Sequence, residues 1–464
     1  MRTPYRKSHG KITFVLYNKP HPCGGRCLFC FRSKGFTKST TQNEDTVLAK
    51  TYNWSGYLQL KARFAMYNLH NGDGIKIDMA VKGDSFASHN EDYLRQYTKE
   101  LYDYLNGCES TSLAEAAALQ EYAQDRCVTY KIETRPDQID EHKCRLFMEL
   151  GITTVEIGVQ SLDDKVLVYN ERGHDSSIVR SASALLRKYG FEVVYQMMVG
   201  LPGSSIEIDK KILCDTLWKD EYAPDAIKIY PCILLKREYV WQERLRKLYY
   251  DGKWTPITES EYINLLYNCY EHIPSYVHVN RIQRIIPPEK IEVGVANEID
   301  RSIFNHISTC LWQRSPAQQL KDLDIFIENY KIISYPQGCN RMCFEVIIHN
   351  NIVAGYARVD RRTSKSVIIR DIRILGNMSC INDHNYSKLG FQHIGMGTSL
   401  LQAIEKYAIS NNIYCIFIKP SFGTISWFKQ RGFVKISDYF YVKITNPLTS
   451  INDCLTEFYD NYVG

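Results

Sequence analysis

The sequence predicts an α/β chain of two domains: a partial (βα)6 barrel over residues 1–290 and, past a connector at 291–325, a mixed α+β domain over 326–464. Three observations predict it. Apolar, strand-like runs alternate with helical segments six times before residue 231, as parallel βα units do and antiparallel sheets do not. Glycines and polar residues collect directly after those runs, where such a barrel places its active site. From residue 342 the pattern changes to alternating strands that lead to a glycine turn and a long amphipathic helix.

Taken in order, the first strand covers 12–17 and is followed by a cysteine-rich loop. A helical region over 47–69 leads through Gly72 and Gly74 to a strand at 75–81 that ends in Lys82-Gly-Asp-Ser-Phe86. Helices at 92–105 and 113–124 precede the strand 128–133, which runs into Thr134-Arg-Pro-Asp137. A helix at 144–150, a strand at 154–159 ending in Gln160-Ser161, a helix at 178–189 and a strand at 193–198 ending in Gly200-Leu-Pro-Gly203 continue the alternation. A helix at 210–219 and a strand at 226–230 complete it. The connector carries Pro287-Pro288 and a helical piece at 298–307. Beyond it, strands at 342–348, 352–359 and 366–375 come before the turn Gln392-His-Ile-Gly-Met-Gly-Thr398 and a helix at 400–410. A strand at 413–418, a short helix at 425–431 and a strand from Gly432-Phe433 follow.

Composition narrows the function classes. The hydrophobic fraction of 44% and charged fraction of 23% are those of an ordinary globular protein. No apolar run approaches the roughly 20 residues of a membrane span, and the polar start has no signal-peptide core, so no membrane partner is expected. Fifteen cysteines without a secretion signal point to the reducing cytoplasm, where thiols serve metals or packing. A net charge of +5 does not demand a nucleic acid, although 33 tyrosines and local basic clusters leave room for one.

The chemistry centres on Cys23, Cys27 and Cys30, a Cys-x-x-x-Cys-x-x-Cys run beside Gly24 and Gly25. Three thiolates on one tight loop can hold three irons of a 4Fe–4S cluster and leave the fourth iron open to a small chelating molecule. A zinc knuckle with His21 as fourth ligand and three unrelated buried cysteines are the alternatives. In the second domain, a Gln-x-x-Gly-x-Gly turn opening a helix offers backbone N–H groups and the positive end of the helix dipole to an anion. Gly395 and Gly397 let a pyrophosphate approach; the alternative is a simple helix cap.

The cysteine loop resembles that of the radical S-adenosylmethionine (SAM) enzymes, and the glycine turn resembles the coenzyme A turn of GNAT acyltransferases. The two in one chain, with Lys19-Pro-His-Pro-Cys23, Ile132-Glu-Thr-Arg-Pro-Asp137, Val155-Glu-Ile-Gly-Val-Gln-Ser161, Asn170-Glu-Arg-Gly-His174, Lys228-Ile-Tyr-Pro231 and Arg281-Ile-Gln-Arg284, resemble the catalytic-subunit family of Elongator, over about residues 2–443. That resemblance implies a radical SAM enzyme of the acyltransferase class that uses acetyl-CoA to form 5-carboxymethyluridine at the tRNA wobble position. It implies that Cys23, Cys27 and Cys30 ligate the cluster, Gly83, Glu133 and Gln160 help seat SAM, and Gln392, Gly395, Gly397 and Thr398 seat coenzyme A. The implied partners are tRNA, acetyl-CoA and an external electron donor; a homodimer is left open.

The chain departs from that family in places. Ser426-Trp-Phe-Lys429 stands where the family has a tyrosine pair, so the phenol hydroxyls expected near the thioester are gone. The usual Gly-Gly-Thr-Phe phrase is Lys82-Gly-Asp-Ser-Phe86, and the chain starts so near its first strand that no long basic extension toward tRNA is expected. Cys310, Cys339 and Cys343 do not have the spacing of the small zinc site found in some members. Two alternatives follow: a related enzyme acting on a peptide or small metabolite, or a degenerate acetyl-CoA- or RNA-binding module. Basic and aromatic residues interleave over 236–253, with Arg244, Arg246 and Lys247 at the centre, as suits a phosphate backbone or equally a solvated helix face.

Overall fold

A computed structural model describes residues 11–31, 44–284, 286–304, 307, 310, 314–315, 330–348, 351–376 and 391–460. Its first half is a parallel sheet curled into a partial barrel. The strands are β1 (Ile12–Tyr17), β2 (Lys76–Lys82), β3 (Arg126–Thr134), β4 (Thr154–Gln160), β5 (Glu192–Val199) and β6 (Ala226–Pro231). They adjoin in sequence order, and each pair is parallel. The outward residues, among them Ile77, Ile132, Val155, Ile157 and Val193, are fully buried under the helices, which is why these strands read as apolar runs.

Several boundaries differ from the sequence pattern for identifiable reasons. The helical region 47–69 is two helices, Glu44–Thr51 and Gly56–Met66. Asn53 and Trp54 take left-handed φ values of 49° and 62° between them, and the Ser55 side chain accepts from the Leu58 N–H to start the second. The helix expected at 113–124 stops at Leu119, since Gln120 turns its side chain to the backbone N–H of Cys127. After the short strand β7 (Leu234–Leu235), a seventh parallel strand, β8 (His278–Arg281), adds to β6. In place of a connector helix, β9 (Ile291–Val293) pairs with β7, and Arg301–Phe304 forms a single 3-10 turn.

The second domain is a mixed seven-stranded sheet: β10 (Lys331–Gln337), β11 (Arg341–Ile348), β12 (Ile352–Arg361), β13 (Ser366–Ile374), β14 (Cys415–Ile418), β15 (Val434–Lys435) and β16 (Tyr441–Ile444). β13 and β14 run parallel, and the helix Met396–Ser410 between them covers the sheet with Leu400, Leu401 and Ile404. Cys454, on the terminal helix Ile451–Phe458, forms a disulfide with Cys415, which corrects the expectation that the thiols serve only metals and packing.

The second domain caps the barrel at the N-terminal ends of its strands. Gly151 and Gly423 permit the close approach: a Cβ at Gly423 would stand 2.7 Å from the Cys127 carbonyl oxygen, and one at Gly151 would stand 2.6 Å from the Phe422 ring. A buried ion network ties the two together. Asp225 and Glu192 from the barrel meet Arg341, Arg358, Arg370 and Arg373 from the second sheet, which also pair with Asp360 and Asp371. Among the described residues no helix is long and apolar enough to cross a membrane.

Candidate active site

Two cavities stand at opposite mouths of the one barrel. The upper one, about 140 Å³, lies at the C-terminal ends of the strands and gathers Cys23, Cys27, Cys30, Gly83, Glu133 and Gln160, six positions up to 137 residues apart in the chain. All three are thiols outside any disulfide, and all are half-buried. Arg172 donates to Cys27 Sγ at 3.0 Å, and Arg135 faces the same sulfur at 3.7 Å. Arg135 is itself fixed by Asp137 at 2.9 Å and by the carbonyl of Arg172. The loop can press onto Arg135 because Gly25 has no side chain; a Cβ there would lie 2.6 Å from the guanidinium. Gly24, at φ 72°, makes the turn.

The three sulfurs are spread over the wall of the cavity: among the described residues, no group of three His, Cys, Asp or Glu side chains is close enough to hold a metal ion. The donor chemistry nevertheless fits an iron–sulfur cluster, since three cysteine thiols of one loop line one chamber and two guanidinium groups stand against the Cys27 sulfur. Opposite the loop, Gln160 is held at φ 72°, a left-handed value that costs a non-glycine residue energy and collects at functional sites. His174, behind Arg172, is brought down to about 4 by burial and by that cation, so it is neutral at pH 7.

The lower cavity, about 790 Å³, opens between the N-terminal mouth of the barrel and the second domain, and Gln392, Gly395, Gly397 and Thr398 line it together. Gly395, at φ 91°, is the residue before the helix Met396–Ser410, and Gly397 lies under the Trp427 ring. Lys76, the first residue of β2, donates to Gln392 Oε1 at 2.7 Å, which places an ammonium from the barrel at the turn. The Arg431 guanidinium stacks 3.9 Å over Trp427 and donates to Thr398 Oγ1 at 3.0 Å. Trp427 thus steers a cation onto the glycine turn, while Phe428 is buried in the core of the second sheet.

Sequence reasoning missed the barrel interior. Lys82 bonds Glu133 at 2.5 Å and Glu156 at 2.7 Å; Lys228 pairs with Glu156; Gln196 donates to Glu133 at 2.9 Å and to Glu156 at 3.3 Å. One layer below, Asp78 takes Lys131 at 2.6 Å and Lys11 at 3.5 Å. Against burial, which favours its neutral form, Lys228 and Lys82 hold Glu156 well below the ordinary carboxylate range. Burial, and next Arg373, bring Lys11 down to about 7. The available signal was a charge or amide recurring two or four positions along one face of otherwise apolar strands, as in Lys131 and Glu133, Asp78 and Lys82, or Glu192 and Gln196.

The basic segment 236–253 does not form the free cationic face that its composition allows. Arg246 is buried, pairs with Glu292 and donates to the Leu235 carbonyl, so it is a structural residue. Arg244 pairs with Glu171, Lys247 with Asp251 and Arg237 with Glu243.

Residues 17–212 match the Radical SAM superfamily, and residues 224–313 match the Radical_SAM C-terminal domain. A tRNA uridine(34) acetyltransferase of Dehalococcoides mccartyi is 33% identical over 463 residues, which cover 95% of this chain and 99% of that protein. One of the same name from Methanocaldococcus jannaschii is 25% identical over 94% of this chain and 85% of its own length, and human Elongator complex protein 3 is 23% identical over 93% and 83%. The structure of the archaeal Methanocaldococcus infernus Elp3 shares the fold, with a TM-score of 0.76 over 94% of this chain and 99% of that one, at 24% identity. On that identity across its whole length, with the radical SAM domain and its C-terminal companion both matched, the chain belongs to the tRNA uridine(34) acetyltransferase family of radical SAM enzymes, which is homologous to Elongator complex protein 3.

Proposed function

We propose that this protein joins the acetyl carbon of acetyl-CoA to carbon 5 of the wobble uridine of a tRNA, leaving 5-carboxymethyluridine after hydrolysis of the thioester. The observation that carries this reading is the pair of chambers at the two mouths of one barrel, one walled by three cysteine thiols and the other opening on a glycine turn at a helix start. When bound, a 4Fe–4S cluster and SAM supply a 5'-deoxyadenosyl radical, the electron coming from an external donor. Cys23, Cys27 and Cys30 would hold the cluster, with Arg172 and Arg135 stabilising thiolate charge at Cys27. Gly83, Glu133 and Gln160 would seat SAM: Gly83 leaves room beside the loop, Glu133 accepts from a cation, and Gln160 offers an amide.

Coenzyme A would lie in the lower chamber with its pyrophosphate on the N–H groups of the turn between Gln392 and Thr398, flanked by Lys76 and Arg431. Gly395→Asp puts a carboxylate at that turn and forces a side chain onto φ 91°. Acetyl-CoA affinity by calorimetry is expected to fall more than about tenfold, or 1.4 kcal/mol. Equal affinity for wild type and variant would reject the site.

Nucleosides of total tRNA, analysed by mass spectrometry from cells with and without the gene, test the function directly. Loss of 5-carboxymethyluridine and its derivatives on deletion, restored by the wild-type gene and not by Cys27→Ala, is the expected result. An unchanged wobble profile would shift the assignment to a peptide or small-metabolite acceptor.

A further inference from the structure

The two chambers are not neighbours across a cleft; they are separated by the inside of the barrel. Strand β3 contributes Glu133 to the upper chamber and Thr129 to the lower, four residues and about 13 Å apart along one strand. β4 contributes Gly158 and Gln160 above and Thr154 below, and β5 contributes Gln196 above and Glu192 below. The interior between them is a thin charged septum. Lys82 and Glu133 are 15% and 22% exposed, and Lys131, one layer lower, is 20% exposed, whereas Glu156 at 3% and Lys228 at 7% are sealed. Ala80 shares a strand face with Asp78 and Lys82, so it too looks inward, beside Lys131 in register.

We propose that the acyl end of the acetyl-CoA thioester enters the barrel through its lower mouth, past Ala80, and that the layer of Lys82, Glu133, Glu156 and Lys228 is the septum it parts to meet the upper chamber. The proposal rests on the function argued above. The chemistry of the septum suits the task better than an apolar plug would. Glu156 already bonds both lysines and Glu133 lies within 3.8 Å of Lys228 as well as bonding Lys82, so each carboxylate can exchange partners without being left unpaired. Either ammonium released in that exchange is a donor for a thioester carbonyl oxygen, and Lys228 sits where water is largely excluded. The glycine turn is bound to the first residue of β2 through Lys76 and Gln392, which sets the pantetheine arm at the lower mouth.

Two measurements on the cluster-loaded protein test the route. In Ala80→Cys, bromoacetyl-CoA is expected to alkylate the introduced thiol: the sulfur bonds to the methylene carbon, bromide leaves and the thiol proton passes to buffer. Peptide mass mapping should show this adduct forming at least about tenfold faster than with bromoacetamide at the same concentration, and excess acetyl-CoA should suppress it. No adduct at position 80, while bromoacetyl-CoA still displaces acetyl-CoA from the protein, would overturn the route. In Ala80→Leu, deuterium transfer from methyl-deuterated acetyl-CoA, counted per acetyl-CoA bound and per 5'-deoxyadenosine released, should drop at least about tenfold. Undiminished transfer would equally overturn it. Absence of transfer in the wild type would count against the proposed function instead, and the alkylation result would still decide the route.

Discussion

Replacing Cys23, Cys27 or Cys30 by Ala is expected to abolish reductive cleavage of SAM while leaving a folded, acetyl-CoA-binding protein. The loss should be complete because each thiol is one of the three cysteines that line the upper chamber among the described residues, and a three-iron attachment through thiolates has no spare one. The fold should survive because the three side chains are half-buried on a loop outside the strands, so truncation opens no sealed cavity. Iron and sulfide content after anaerobic reconstitution, together with 5'-deoxyadenosine release under dithionite, measure the first expectation. Titration with acetyl-CoA measures the second. A triple variant that still released 5'-deoxyadenosine would remove the radical assignment from this loop.

Asp225→Ala is expected to lower stability by about 3–5 kcal/mol. Asp225 is 1% exposed, and Arg370, Arg358 and Arg341 of the second domain converge on its carboxylate, while it also accepts from the Val193 N–H at 2.8 Å. Its removal leaves guanidinium charge in the interior with too little anion to balance it. Against burial, which raises a carboxyl's pKa, Arg370, Arg358 and Arg341 hold Asp225 below the ordinary carboxylate value. A group depressed in the folded state contributes stability above its unfolded pKa of about 3.9 and loses that contribution as the pH falls from there. Denaturant midpoints for wild type and variant should therefore differ strongly at pH 7 and converge below about pH 4. A difference independent of pH would show that lost packing, not charge, is responsible.

How far the sequence foretold this architecture depended on whether a feature was local. Parallel strands whose outer faces are buried under helices read as largely apolar segments, so the six βα units were legible, and so were the cysteine loop and the glycine turn, whose residues are close in sequence. The strand His278–Arg281 was not legible, because its four residues have one apolar side chain among three polar ones and it gains its place only by pairing with β6. Arg172 and Arg135 reach Cys27 from 145 and 108 residues away, and the partners that neutralise Arg244 and Arg246, Glu171 and Glu292, lie 73 and 46 residues away. Composition over 236–253 shows the cations and cannot show those carboxylates.

The seam between the halves limits how the protein can be taken apart. Ile368, Phe417, Phe440 and Phe458 of the second domain belong to the same apolar core as the barrel residues Phe147, Phe191 and Val193, and Arg358 and Arg370 are nearly sealed against Asp225. Cut at residue 326, each half would bare both an oily face and a set of unmatched like charges. Shuffling a foreign acyl-CoA module onto this barrel, or borrowing the barrel for another module, would thus require transplanting the whole seam, which makes the pair a single heritable unit rather than two parts on a string.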